Sequence, residues 1–241
     1  MSGHSKWNNI KRKKEKEDAR RGAAFTKVAR LITVAARAGG GDPDANFRLR
    51  LAIDKARAVN MPFDNIERAI KRGSGEAGGD NYDEVVYEGY GPGGVAVLLD
   101  IMTDNRNRTA SDVRHLFSKY GGNMGEAGCV AWMFEQKGVL WLEPEQAGDL
   151  DELMLQALEA GAEDVSDTGD GVEIVTAPGD FAAVKDALEQ AGYAFAEASV
   201  TMRPKSTVPV EESDAERLMV LLEAFEEHDD IQDVYTNGDF N

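Results

Sequence analysis

The chain has 241 residues, 42% of them hydrophobic, which is enough for one large domain or two to three small ones. Its single cysteine, Cys129, excludes an intramolecular disulfide framework and a multi-cysteine zinc site. The net charge of −17 hides a division: residues 1–75 carry 18 Lys and Arg against 8 Asp and Glu, residues 76–241 carry 9 against 36, and the two segments bear +10 and −27.

No apolar run reaches the roughly 18 residues of a membrane span, and residues 1–30 hold no signal-peptide core. Together with the lone cysteine, this predicts a cytoplasmic protein without membrane contact. A domain's local field, not the total charge, governs what approaches it, so the basic segment points to a polyanion. The alternative is a solvated basic helix face.

In chain order, Ser2 to Ile10 is polar with one large aromatic, Trp7, and runs into Lys11-Arg12-Lys13-Lys14, the composition of a mobile arm. Over residues 20–38 the spacing predicts a helix with Phe25, Val28, Ile32, Ala35 and Ala36 on one face and Arg20, Lys27, Arg30 and Arg37 opposite. Gly39-Gly40-Gly41-Asp42-Pro43 breaks it, and a second helix is expected over 45–59. Pro62, Asp64 and Glu67 open a third, with Phe63, Ile66 and Ile70 as its packed edge, ending at Lys71-Arg72-Gly73. These three make a small bundle. Residues 73–80 have linker composition where the charge changes sign, so the basic helical domain is placed at 1–75.

Beyond it, strands are predicted at 84–87 and 95–102, a helix at 109–120 and a strand near 130–134. From Val139 the order strand, helix (146–160), strand, strand (171–176), helix (180–191), strand (195–202) is that of a split βαβ sandwich. A last helix at 213–227 and a strand at 231–235 complete the first sandwich. The expectation is therefore a multidomain α+β protein: a three-helix bundle, then two ferredoxin-like α/β sandwiches, with residues 139–202 inserted in a domain made of 80–138 and 203–241.

Gly89-Tyr90-Gly91-Pro92-Gly93-Gly94 leads from strand to strand and opens no helix, so a hairpin turn explains it better than a phosphate cradle. Thr103-Asp104-Asn105-Arg106-Asn107-Arg108-Thr109 lies between a strand and a helix. Arg106 and Arg108 there are candidates for a phosphate contact; the competing reading has Asn107 or Thr109 cap the helix while the arginines pair with neighbouring acids. His4, His115 and His228 have no evident partner, Cys129 reads as a small buried thiol, and the spread acids form no metal motif. No catalytic group, metal, cofactor or small-molecule substrate is expected.

Gly3-His4-Ser5-Lys6-Trp7-Asn8-Asn9-Ile10-Lys11, Phe25-Thr26-Lys27, Asn60-Met61-Pro62, Asp64 to Ile70, Tyr87 to Ala96 and Thr103 to Thr109 together resemble the YebC family, which includes the mitochondrial translational activator of cytochrome oxidase. The resemblance covers essentially the whole chain. It implies a three-domain cytoplasmic protein without catalytic activity, customarily labelled a DNA-binding transcriptional regulator, with some members viewed as ribosome-associated translation factors. It contributes Lys6, Trp7, Lys11 and Lys27 as nucleic-acid contacts. Arg12, Lys13, Lys14, Arg20, Arg21, Arg30 and Arg37 rest on charge and helical geometry. Phe63 stands where many members carry a charged residue.

The leading expectation is a nucleic-acid-binding regulator of gene expression, acting on ribosomal RNA with ribosomal proteins as further partners, or on promoter DNA. The acidic body would then repel non-specific binding or dock a basic partner. Trp7 suits base stacking, whereas the acids Asp64 and Glu67 would repel phosphates flanking a major groove, which favours RNA. A protein-interaction adaptor, and then an enzyme using Cys129 or the Arg106 loop, are the other classes.

Overall fold

Helical spacing of apolar residues assembles the bundle. Val28, Ile32, Ala35 and Ala36 share one face of α1 (Arg21–Gly39) and bury against Leu49, Ile53 and Ala56 of α2 (Phe47–Ala58) and Ile66 and Ala69 of α3 (Phe63–Gly73). Asn46 sets the corner between the first two helices. Its Oδ1 accepts the Leu49 N–H at 3.1 Å, while its amide donates to the Ala35 and Gly40 carbonyls at 2.8 Å each. At the other end, a Cβ on Gly73 would strike the Thr33 carbonyl oxygen, so only glycine lets α3 lie this close to α1. Phe63 is not part of the packed edge: it is 68% exposed, because the first residue of α3 sits off the arc that holds Ile66, Ala69 and Gly73. The computed structural model describes residues 21–75 and 81–240.

β1 (Asp83–Tyr90) and β2 (Ala96–Thr103) form an antiparallel hairpin in which Glu88 faces Leu98. The connection is the short 3-10 turn Pro92–Gly94, with φ of 74° at Gly93 and 71° at Gly94, so these glycines serve the turn. Next come α4 (Arg106–Lys119) and β3 (Asn123–Met124). The strand expected at 130–134 is absent: residues 131–133 form a 3-10 turn and Phe134 already belongs to the next strand. The cause is Glu88, 5% exposed, whose carboxylate accepts the N–H groups of Gly128, Val130 and Ala131 at 2.6, 2.8 and 2.7 Å and so denies them to a ladder.

Phe134–Arg203 is a compact unit by itself. It runs β4 (Phe134–Leu142), α5 (Pro144–Ala147), α6 (Leu150–Ala160), β5 (Asp164–Asp167), β6 (Val172–Thr176), α7 (Phe181–Gln190) and β7 (Glu197–Pro204). Its sheet order, β5-β6-β4-β7, is the ferredoxin-like one. The single helix expected at 146–160 is two, broken at Gly148 (φ 61°), and Asp149 caps the second through the N–H groups of Asp151 and Glu152.

The chain then returns to the first unit with β8 (Val208–Pro209), α8 (Glu212–Glu226), β9 (Ile231–Thr236) and β10 (Gly238–Asp239). The first sheet has the order β3-β1-β2-β9, and β9 pairs with β2. Val97, Leu99 and Ile101 point to the face covered by α4 and α8, where Phe117 and Phe225 meet edge to face with centroids 4.8 Å apart. Asp100, Asp233 and Tyr235 alternate to the opposite face.

Candidate nucleic-acid interface

Of the cations expected to meet nucleic acid, Lys6, Trp7's neighbours Lys11, Arg12, Lys13 and Lys14, and Arg20 lie outside the described residues, as do Trp7 itself and the side chain of Arg21. The others are placed, and they turn toward the chain's own acidic segment. Lys27 Nζ donates to the Glu226 carbonyl at 2.5 Å, and Arg37 to Asn81 Oδ1 at 2.5 Å. Arg30 donates to Asp230 Oδ1 at 2.5 Å and to the carbonyls of Asp229 and Met102 at 2.8 and 3.1 Å, with its guanidinium 5.2 Å from the centre of the Tyr82 ring. From α2, Arg48 grips Glu84 with bonds of 2.6 and 3.2 Å. A ligand meeting Lys27, Arg30 or Arg37 must first open these contacts.

Asp230 is the centre of this seat. Its side chain is 3% exposed and it follows α8 by a short turn that Asp230 N–H closes onto His228 Nδ1 at 3.1 Å. Besides Arg30, its carboxylate takes Arg108 at 2.8 Å and the Thr109 hydroxyl at 2.6 Å. Burial works to raise the Asp230 carboxyl, but the hydrogen bonds from Thr109, Arg108 and Arg30 and the Arg30 charge outweigh it and hold it well below the usual carboxylate range. Hydrogen bonds to Asp230 and Asp104 in turn hold the Arg108 guanidinium above its ordinary value.

The Thr103 to Thr109 string therefore builds a socket for an internal anion. Asn105, not Asn107 or Thr109, caps α4, its Oδ1 accepting the Arg108 N–H at 3.1 Å while its own N–H donates to Thr103 Oγ1 at 2.9 Å. Thr109 is wholly buried and spends its hydroxyl on Asp230 instead. Arg106 pairs with Asp83 at 2.8 Å and Arg108 with Asp104 at 2.7 Å. Both arginines offered for a phosphate contact thus already have carboxylate partners.

Among the described residues no group of three or more His, Cys, Asp or Glu side chains is placed to hold a metal ion. Cys129 is half-buried in the loop that Glu88 holds; burial and the nearby Glu88 charge push its thiol up, against a thiolate. His228 faces Asp112 at 3.5 Å, a partner the sequence does not reveal, and His115 is exposed on α4.

A different cationic surface emerges where sequence reasoning sees only a helix end. Asn65, Arg68 and Arg72 share one side of α3 and line a cleft of about 290 Å³ with Phe25, Thr26 and Arg30 of α1 and with Tyr82. Arg68 and Arg72 have no ion pair among the described residues. The i, i+4 spacing of the two arginines is the signal, visible in the sequence but indistinguishable there from a basic C-terminal turn.

A basic helical bundle packed on one α/β sandwich, with a second α/β unit inserted in the chain, defines a modular α+β protein. The chain belongs to the TACO1/YebC family: residues 5–76 match the TACO1/YebC N-terminal domain and residues 82–238 its second and third domains. It is 58% identical over 238 residues to a protein of Pelotomaculum thermopropionicum named "Probable transcriptional regulatory protein", covering 98% of each chain. A relative of the same name from Carboxydothermus hydrogenoformans is 58% identical over 239 residues, again 98% of each. The crystal structure of a conserved hypothetical protein from Aquifex aeolicus superposes with a TM-score of 0.84 at 48% identity, covering 92% of this chain and 91% of that one. Among the described residues no helix is long and apolar enough to cross a membrane.

Proposed function

We propose that this protein is a nucleic-acid-binding regulator of gene expression that acts through its basic N-terminal segment, and that its ligand is structured RNA on the ribosome. The observation that carries the reading is the charge division, +10 over residues 1–75 against −27 over the remainder, which favours phosphate contact at the basic end of the chain. RNA is favoured over a promoter by α3. It is 11 residues long, has Asp64 in its first turn, and turns Arg68 and Arg72 toward a cleft instead of presenting a basic ridge to a major groove. Unstacked bases and crowded phosphates of irregular RNA suit a basic arm carrying Trp7.

The second reading, a promoter-binding transcriptional regulator, has the names of the relatives in its favour. Co-sedimentation separates the two. The full chain is expected to travel with ribosomes at physiological salt and to lose that association when residues 1–16 are removed. A chain that never co-sediments yet footprints a defined promoter establishes the DNA reading instead.

A further inference from the structure

Three features mark the cleft between α1 and α3. None of the described residues that line it is acidic, in a chain of net charge −17. Two of its cations, Arg68 and Arg72, lack carboxylate partners, while Arg30, Arg48, Arg57, Arg106 and Arg108 all have them. Its walls also include two partly exposed aromatic rings, Phe25 and Tyr82.

Size narrows the occupant. About 290 Å³ lies at the lower bound of the roughly 300 to 1,000 Å³ that small-molecule sites span, enough for one planar ring system with its substituents and too little for two. Among the described residues Arg68 donates only within α3, to the Asp64 carbonyl at 3.2 Å and to Asn65 Oδ1, and aromatic walls beside guanidinium groups that lack a carboxylate match a group that is planar and apolar at one end and anionic at the other. The Asn65 amide and Thr26 hydroxyl add polar edges.

We propose that this cleft holds one unstacked nucleotide of a single-stranded nucleic acid, its base against Phe25 and Tyr82 and its phosphate on Arg68 and Arg72. The proposal rests on the nucleic-acid reading above and gives it a site. Duplex is excluded by geometry, since a paired base cannot enter a cleft of this size without leaving its stack.

The test uses the full-length chain, with fluorescence anisotropy on single-stranded RNA and DNA hexamers and on a duplex of the same length, at several salt concentrations. Arg68→Gln with Arg72→Gln is expected to weaken hexamer binding at least about 10-fold and to flatten the salt slope by about 0.7 for the one lost phosphate. Tyr82→Leu is expected to weaken it about 5-fold or more, the scale of one stacked base, with the slope unchanged and duplex binding unaffected. The RNA and DNA arms report which strand the cleft prefers, and competition by AMP tests whether a free nucleotide suffices. A melting temperature and far-UV spectrum unchanged from wild type control for folding in each variant. If the hexamers bind and these variants bind them as the wild type does, the cleft assignment fails and the nucleic-acid reading stands. If Tyr82→Leu weakens duplex as much as single strand, stacking is refuted. If the wild-type chain binds no hexamer, ribosome or promoter, both readings fall.

Discussion

Replacing Asp230 by asparagine isolates the charge that seats the bundle on the body. Asn keeps the shape and an acceptor for Thr109, but leaves the Arg30 guanidinium, 13% exposed, without a counter-charge. Removing one partner of a buried ion pair costs about 3 to 5 kcal/mol. Arg30 retains the Asp229 and Met102 carbonyls and the Tyr82 ring, so the lower end applies, about 3 kcal/mol at pH 7. Because the bundle has its own core around Ile32, Leu49 and Ile66, the loss falls on the seat and leaves the helices formed. Native-state amide exchange should quicken at the start of β9 and spare the interior of α1 to α3. The pH dependence has a definite sign. The Asp230 carboxyl is depressed in the folded chain, so its contribution is complete above the ordinary aspartate value of about 3.9 and is lost as pH falls toward the folded value. The stability gap between wild type and Asp230→Asn should therefore be constant from pH 7 to about 5 and narrow by about 1.4 kcal/mol per unit below about 3.9. A gap under about 0.5 kcal/mol at pH 7, the range of ordinary surface changes, refutes the argument.

Asp100→Asn should act in the opposite sense: burial and the Asp233 charge raise the Asp100 carboxyl to about 6, so its ionisation costs stability as pH rises through that value. The variant should gain up to about 3 kcal/mol in denaturant unfolding at pH 7.5 and nothing at pH 4, while Tyr235 keeps an acceptor in place of the one it now has at 3.0 Å. Glu88→Gln should destabilise by about 2 kcal/mol, since three N–H groups lose a charged acceptor; amide exchange at Gly128, Val130 and Ala131 should rise first. Gly73→Ala should cost about 1 to 3 kcal/mol by forcing α3 off the Thr33 carbonyl, read as a lowered melting temperature; an unchanged one would show that the helices re-pack freely.

Elements whose cause is local are legible in the sequence. The three helices of the bundle, the hairpin turn at Gly93 and Gly94 and the βαββαβ order after Val139 follow from periodicity and turn residues that act within a few positions. Failures occur where a distant side chain takes over the backbone. Val130 to Phe134 has strand composition, yet Glu88, about forty residues earlier, claims its N–H groups. Asn107 and Thr109 are plausible caps by type, but Thr109 is claimed by Asp230, 121 positions away, and the cap falls to Asn105.

The same distinction governs the binding surface. A sequence count treats every lysine and arginine of the basic segment as available to a polyanion, and the +10 charge is correct as a sum. Availability depends on pairing, and the pairs that matter span 199 and 200 residues, from Lys27 to Glu226 and from Arg30 to Asp230. No window short enough to read by eye contains both partners. The acidic segment already occupies cations of α1 that face it, as a phosphate backbone would. Raising salt weakens exposed pairs such as Arg48 with Glu84 before the buried one at Asp230, because screening reaches only charges in contact with solvent. A ligand therefore meets first the cations that the chain has not paired, and among the described residues Arg68 and Arg72 at the α3 cleft are two of these.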